Sequence, residues 1–85
     1  MSTTFQTAVK TNVSPEQRRE AIRTLAGDDD RTNLAVLVRT DGLRGEFRRQ
    51  ALKGLADCNA SELLQELAED DSLEDALQRE AERLA

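Results

Sequence analysis

The chain has no His, Trp or Tyr, and only one Cys and one Pro in its 85 residues. Without His it lacks the side chain most often used to move protons near neutral pH, which argues against an enzyme. The lone Cys58 has no internal disulfide partner, so no disulfide can brace the fold, and a reducing compartment is expected. Phe5 and Phe47 are the only aromatics, so the core must be built from Leu, Ile, Val and Ala. Ala and Leu favour closely packed helices over strands. No apolar run reaches the roughly 18–20 residues of a membrane span. The opening "MSTTFQTAVK" also lacks the basic-then-apolar pattern of a signal peptide, so a cytoplasmic protein with no membrane partner is expected. At this length the chain is one domain at most and buries only about 60% of its unfolded surface.

What is abundant is charge. The net charge is −5, and it is unevenly spread. Residues 1–53 carry ten Lys and Arg against seven Asp and Glu, a net of +3. Residues 54–85 carry two Arg against ten Asp and Glu, a net of −8. Ten of the twelve basic residues are Arg. Low Lys with abundant Asp, Glu, Thr and Ala resembles proteins of halophilic archaea, although a GC-rich genome produces a similar bias.

Helix punctuation is legible along the chain. Ser14-Pro15-Glu16-Gln17 reads as a capping box with Pro at the first helical position. Ala21, Ile22, Leu25 and Ala26 then form an apolar stripe that Gly27 is expected to stop. "DDD" at 28–30 leads into a second helix carrying Leu34, Leu37 and Val38, ending near the turn dipeptide Asp41-Gly42. A third helix is expected over about 44–57, where Gly54 costs about 1 kcal/mol against Ala unless a close helix–helix contact requires it. Asn59-Ala60-Ser61-Glu62 predicts another capping box, and Ser72-Leu73-Glu74-Asp75 the start of a last helix. Residues 1–13 form a short helix or fray. Short loops force neighbouring helices to run antiparallel.

The same pattern recurs thirty residues on. Arg18, Arg19, Ala21, Ile22, Leu25 and Ala26 fall on Arg48, Arg49, Ala51, Leu52, Leu55 and Ala56. Leu34, Leu37, Asp41 and Leu43 fall on Leu64, Leu67, Asp71 and Leu73. A period near thirty with two helices per unit is the signature of an α-solenoid. Units of about 14–43, 44–71 and 72–85 give two and a half repeats within a repeat domain over 14–85.

"SPEQRREAIRTLAG", "RGEFRRQALKGLAD" and "EDALQREAERLA" are similar to the opening D-P-x-V-R-x-x-A pattern of short HEAT-like repeats of the phycobilin-lyase type. Ser14 and Arg44 stand for its Asp, Gln17 and Phe47 for its Val, and Gly45 for its Pro, with Gln78 at the motif Arg position. The resemblance implies an all-α, right-handed α-α superhelix of five to six short antiparallel helices. It implies no particular activity, because such repeats serve many partners.

Arg18 and Arg48 lie on the apolar side of their helices, so their stems are expected to cover core and their heads to reach a helix end or a carboxylate. Alternatively, Arg18, Arg19, Arg23, Arg48, Arg49 and Lys53 form a phosphate-contacting ridge for nucleic acid. A net negative chain with no aromatic available for base stacking disfavours that alternative. Arg31, Val36 and Arg39 correspond to Ser61, Glu66 and Glu69 in the next unit, so the second-helix surface changes sign along its length. Such a surface orients a dipolar partner. "DDD" fails the calcium-loop pattern, since the positions for its Gly and Glu hold Asn33 and Arg39. Asp57 beside Cys58 raises the thiol pKa, the wrong direction for a nucleophile.

The expectation is a non-enzymatic protein-interaction module that takes no cofactor or metal. Its candidate contact residues are Arg31, Arg39, Glu62, Glu66, Glu69, Asp70 and Asp71. Its partner is another protein or a second copy, recruited through exposed apolar ends or through the +3 half of one chain meeting the −8 half of another.

Overall fold

A computed structural model describes residues 3–85. Six helices follow one another: α1 (Thr3–Val9), α2 (Pro15–Gly27), α3 (Arg31–Val38), α4 (Gly45–Asp57), α5 (Ser61–Ala68) and α6 (Asp75–Leu84). The described residues are all-α and contain no strand. Short helices alternate with long ones. Each short helix packs most closely on the long helix after it, and the long helices lie side by side, α2 against α4 and α4 against α6. The expected units begin on long helices, at 14, 44 and 72, whereas this packing joins α1 to α2, α3 to α4 and α5 to α6. Three short–long pairs result, because α1 supplies the partner that a unit starting at residue 14 lacks.

The thirty-residue frame therefore reaches back through α1. Val13, Leu43 and Leu73 occupy matched positions before the long helices. The next residues, Ser14, Arg44 and Glu74, share one extended backbone conformation, with φ/ψ of −68/156, −61/147 and −61/148 degrees. Only Ser14 closes a capping box. Its hydroxyl accepts from the Gln17 N–H at 3.1 Å while the Gln17 side chain accepts from the Ser14 N–H at 3.0 Å.

The long helices end differently from expectation. Gly27 is the last residue of α2 and has no positive φ; the left-handed residue is Asp29, φ 58°, matched by Asn59, φ 58°. Asp and Asn tolerate this conformation better than other side chains. At both sites the next two amides turn back into the helix. Asp29 and Asp30 donate to Ala26 and Leu25, and Asn59 and Ala60 donate to Ala56 and Leu55, at 2.9–3.1 Å. This double bond pattern satisfies the last helical carbonyls. With Asn59 held in the turn, the residue before α5 is Ala60, which has no side-chain cap to offer, so the box predicted at 59–62 does not form. Ser72 likewise does not cap α6, since its N–H and O–H both donate to Asp70 Oδ1, at 2.9 and 2.6 Å.

The core runs as one cluster through all six helices, centred on α4, which touches α2, α3, α5 and α6. Phe47, Ile22 and nine Leu or Val side chains including Leu25, Leu34, Leu52, Leu55 and Leu64 are almost fully buried. Gly54 sits at a close approach: a Cβ there would meet Ala26 of α2 and Leu34 of α3 at 3.3 Å, tight enough that those side chains would have to shift by a few tenths of an ångström. The apolar ends expected of a short stack are absent among the described residues. Among the described residues Val36 is the one large hydrophobic left exposed, and the outer face of α6 presents Asp75, Arg79, Glu82 and Arg83 to solvent.

Candidate functional site

The six residues of the basic ridge divide into two groups. Arg48 is only 4% exposed, and its Nε donates to the Val38 carbonyl at the end of α3, 2.7 Å away. Its other nitrogens face Glu74 at 3.6 Å and Asp41 at 3.9 Å. Arg18 repeats the arrangement one unit earlier. Its Nε donates to the Ala8 carbonyl at 3.0 Å, a second N–H donates to the Lys10 carbonyl, and its guanidinium lies 5.2 Å from the Phe47 ring centre. At the third matched position the Gln78 amide donates to the Asp70 carbonyl at 2.6 Å. Each side chain collects carbonyls that the preceding short helix leaves open at its C-terminus, where positive charge is favoured. Arg48 is thereby held inside the fold, and half-buried Arg18 has its donors committed to backbone carbonyls.

Arg19, Arg23, Arg49 and Lys53 do converge. Spaced i, i+4 on the outer faces of α2 and α4, they line a groove of about 510 Å³ together with Glu46, Gln50, Glu80 and Arg83. The Gln50 amide donates to the Arg19 carbonyl at 2.9 Å and ties the two helices together along its floor. Arg23 pairs with Glu20 at 2.7 Å, and Arg83 with Glu80. The Arg83 guanidinium holds the Glu80 carboxyl below its ordinary pKa, with Lys53 and Arg49 adding to the effect. Arg19, Arg49 and Lys53 make no ion pair with a described residue.

The short helices carry the second charged surface. Arg31 pairs with Asp29 at 3.2 Å, and Arg39 at the end of α3 reaches Asp70 beyond α5 at 2.9 Å. The Ser72 hydroxyl first, then Arg39 and the Ser72 amide, lower the Asp70 pKa to about 2. Arg39 and Asp70 thus occupy one another and bridge two units. Glu62, Glu66, Glu69 and Asp71 are exposed and pair with no cation of the described residues. Glu66 and Glu69 close α5, whose last turn has no basic residue, so they lie where the helix dipole disfavours negative charge.

The remaining candidates resolve into local structure. Asp29 forms the turn and Asp30 accepts from the Asn33 side chain at 2.8 Å, so "DDD" is engaged in loop and cap. No group of three His, Cys, Asp or Glu among the described residues is arranged to hold a metal ion. The buried Cys58 thiol donates to the Ala26 carbonyl at 3.3 Å. Burial pushes its pKa up, followed by the Asp29 carboxylate, with Asp57 the least of the contributors. No buried side-chain polar atom of the described residues lacks a partner.

An all-α domain with two oppositely charged outer faces is what these residues define. No helix among them is long and apolar enough to cross a membrane. No protein-family model, curated protein or solved structure matches the chain.

Proposed function

We propose that the chain is a non-enzymatic protein-interaction module, a short HEAT-like stack of helical hairpins working in the cytoplasm, whose α5 face receives a basic partner. One observation carries this reading. Four exposed carboxylates along α5 and just past its end, Glu62, Glu66, Glu69 and Asp71, have no cation among the described residues, while neighbouring Asp70 is neutralised by Arg39. Glu66 and Glu69, near the C-terminus of α5, carry a standing electrostatic cost that a cationic partner removes, and Glu62 one turn earlier extends the same acidic stripe. The right-handed superhelical path of the longer repeat proteins is part of the proposal, supported by the thirty-residue frame across three short–long pairs. Affinity capture from the source cells at their own ionic strength tests it. A partner retained by the native chain and lost with Glu62→Gln/Glu66→Gln is expected. Equal retention by both, or no retained protein, overturns the reading.

The rival, a nucleic-acid accessory, keeps four of its six ridge residues, since Arg19, Arg23, Arg49 and Lys53 share a groove. It requires retardation of DNA or RNA at low salt that Arg49→Gln/Lys53→Gln weakens uniformly across sequences. Absence of retardation removes it.

A further inference from the structure

We infer that the basic groove between α2 and α4 is the docking site for the acidic α5 face of a second copy of this chain. The inference rests on the interaction-module reading and names its partner. The groove lining carries five cationic side chains, Arg19, Arg23, Arg49, Lys53 and Arg83, against two carboxylates, Glu46 and Glu80. Glu80 is already engaged by Arg83, and Arg23 by Glu20, so the unpaired charges are those of Arg19, Arg49 and Lys53 against the single carboxylate of Glu46, which leaves the groove net positive. On the other face the unpaired charge is that of α5.

The spacing of the two surfaces agrees. Arg49/Lys53 and Glu62/Glu66 are both i, i+4 pairs, a rise of about 6 Å along a helix. A helix seated over two neighbours lies about 8–10 Å from each axis, within reach of Arg and Lys side chains. At eight residues α5 is about 12 Å long, shorter than the thirteen-residue α2 and α4 that flank the groove.

The topology then dictates the kind of assembly. Arg49 and Lys53 lie on the side of α4 opposite its buried Phe47, Leu52 and Leu55. Glu62, Glu66 and Glu69 lie on the side of α5 opposite its buried Leu64 and Leu67. Because α4 and α5 pack on each other through their buried sides, the two charged surfaces look away from each other. One partner therefore cannot satisfy both across a two-fold axis. The contact is head to tail, leaving a free groove at one end and a free acidic face at the other, and it propagates or closes as a ring.

Sedimentation velocity on the full chain tests this. At about 50 mM salt the average mass should rise with protein concentration past that of a dimer, and at about 1 M it should return to monomer as the charges are screened. Arg49→Gln/Lys53→Gln and Glu62→Gln/Glu66→Gln should each be monomeric at low salt. All four positions are exposed, and circular dichroism checks that the helices persist. An equimolar mixture of the two variants should regain association and stop at a 1:1 dimer, since each supplies the surface the other lacks. A native chain that stays monomeric at low salt overturns the inference, as do oligomers indifferent to both variants. A monomeric chain that still captures a foreign basic protein through Glu62 and Glu66 overturns it while leaving the interaction-module reading intact. A monomer whose groove variant loses only nucleic-acid binding overturns it in favour of the rival.

Discussion

Helices α3 and α5 are the same element used twice, alike inside and inverted outside. Leu34 and Leu37 of α3 are matched by Leu64 and Leu67 of α5, all 0–1% exposed. On the outer side Arg31, Val36 and Arg39 are matched by Ser61, Glu66 and Glu69. The inward positions repeat because both helices meet a long helix carrying the same apolar stripe. The outward positions meet no such stripe, although Arg31 and Arg39 are held by Asp29 and Asp70, and that is where the units diverge in charge. The comparison teaches that the thirty-residue period defines the scaffold, and departures from it mark surfaces free to take on a partner.

The largest test removes matched core side chains. Leu37→Ala and Leu67→Ala should each cost about 2–5 kcal/mol, measured by urea unfolding. The two losses should agree to within about 1 kcal/mol if the positions are equivalent. A Leu67→Ala cost near zero would show that α5 is not part of the cooperative core. Arg48→Ala follows at about 2–4 kcal/mol, because it removes a buried charged donor and leaves the Val38 carbonyl without it. Arg18→Ala should cost less, about 1–2 kcal/mol, since Arg18 is only half-buried. Equal losses would break the argument that burial separates these otherwise matched residues.

How far the sequence carries the fold can be judged at particular positions. The stripes at 21–26 and 51–56 specify the core because burial selects residue type directly. The separation of Arg18 and Arg48 from the groove cations is legible in their place on the apolar side of their helices. Which carbonyl each one reaches, eight to ten residues upstream, is decided by packing. Gly27 looks like a helix stop, yet glycine permits a left-handed residue without requiring one, and Asp29 takes that role. Asn59 has the residue type and spacing of a cap, yet it is the turn residue matched to Asp29. The register of Val13 with Leu43 and Leu73 was the available signal that α1 belongs to the repeat. Its Thr-rich sequence obscured that signal, because Thr4 and Thr7 stand where Leu34 and Leu37 are.

The two left-handed turns sharpen the comparison at smaller scale. Asn59→Gly should raise stability by about 0.5–1 kcal/mol by relieving an L side chain of φ 58°. Asp29→Gly should gain less, because it also removes the exposed carboxylate that pairs with Arg31. If both substitutions instead destabilise alike, the side chains contribute more to the turn than its backbone conformation does.

The smallest expected effect concerns Asp70, which occupies the position of Thr40 in the preceding unit. Thr40 donates its hydroxyl to the Val36 carbonyl at 2.8 Å, a contact without formal charge. Asp70 instead accepts from Ser72 and Arg39, and its pKa falls from the ordinary 3.8 to about 2. A carboxyl more acidic in the folded state than in the unfolded one stabilises the fold above its unfolded pKa. That contribution is lost as pH falls through 3.8 towards 2. Asp70→Asn should therefore lower the urea midpoint at pH 6–7, and the gap from the native chain should close by about pH 2. Thr40→Val should show an offset that does not change over the same range, because a hydroxyl does not titrate there. Arg39→Gln should reproduce part of the Asp70→Asn profile, with the remainder belonging to Ser72, whose hydroxyl contributes most to the shift. If the Asp70→Asn gap is independent of pH, the Arg39–Asp70 ion pair is a surface contact without energetic weight, and the two units are joined through their apolar faces and the approach of Arg48 to Glu74.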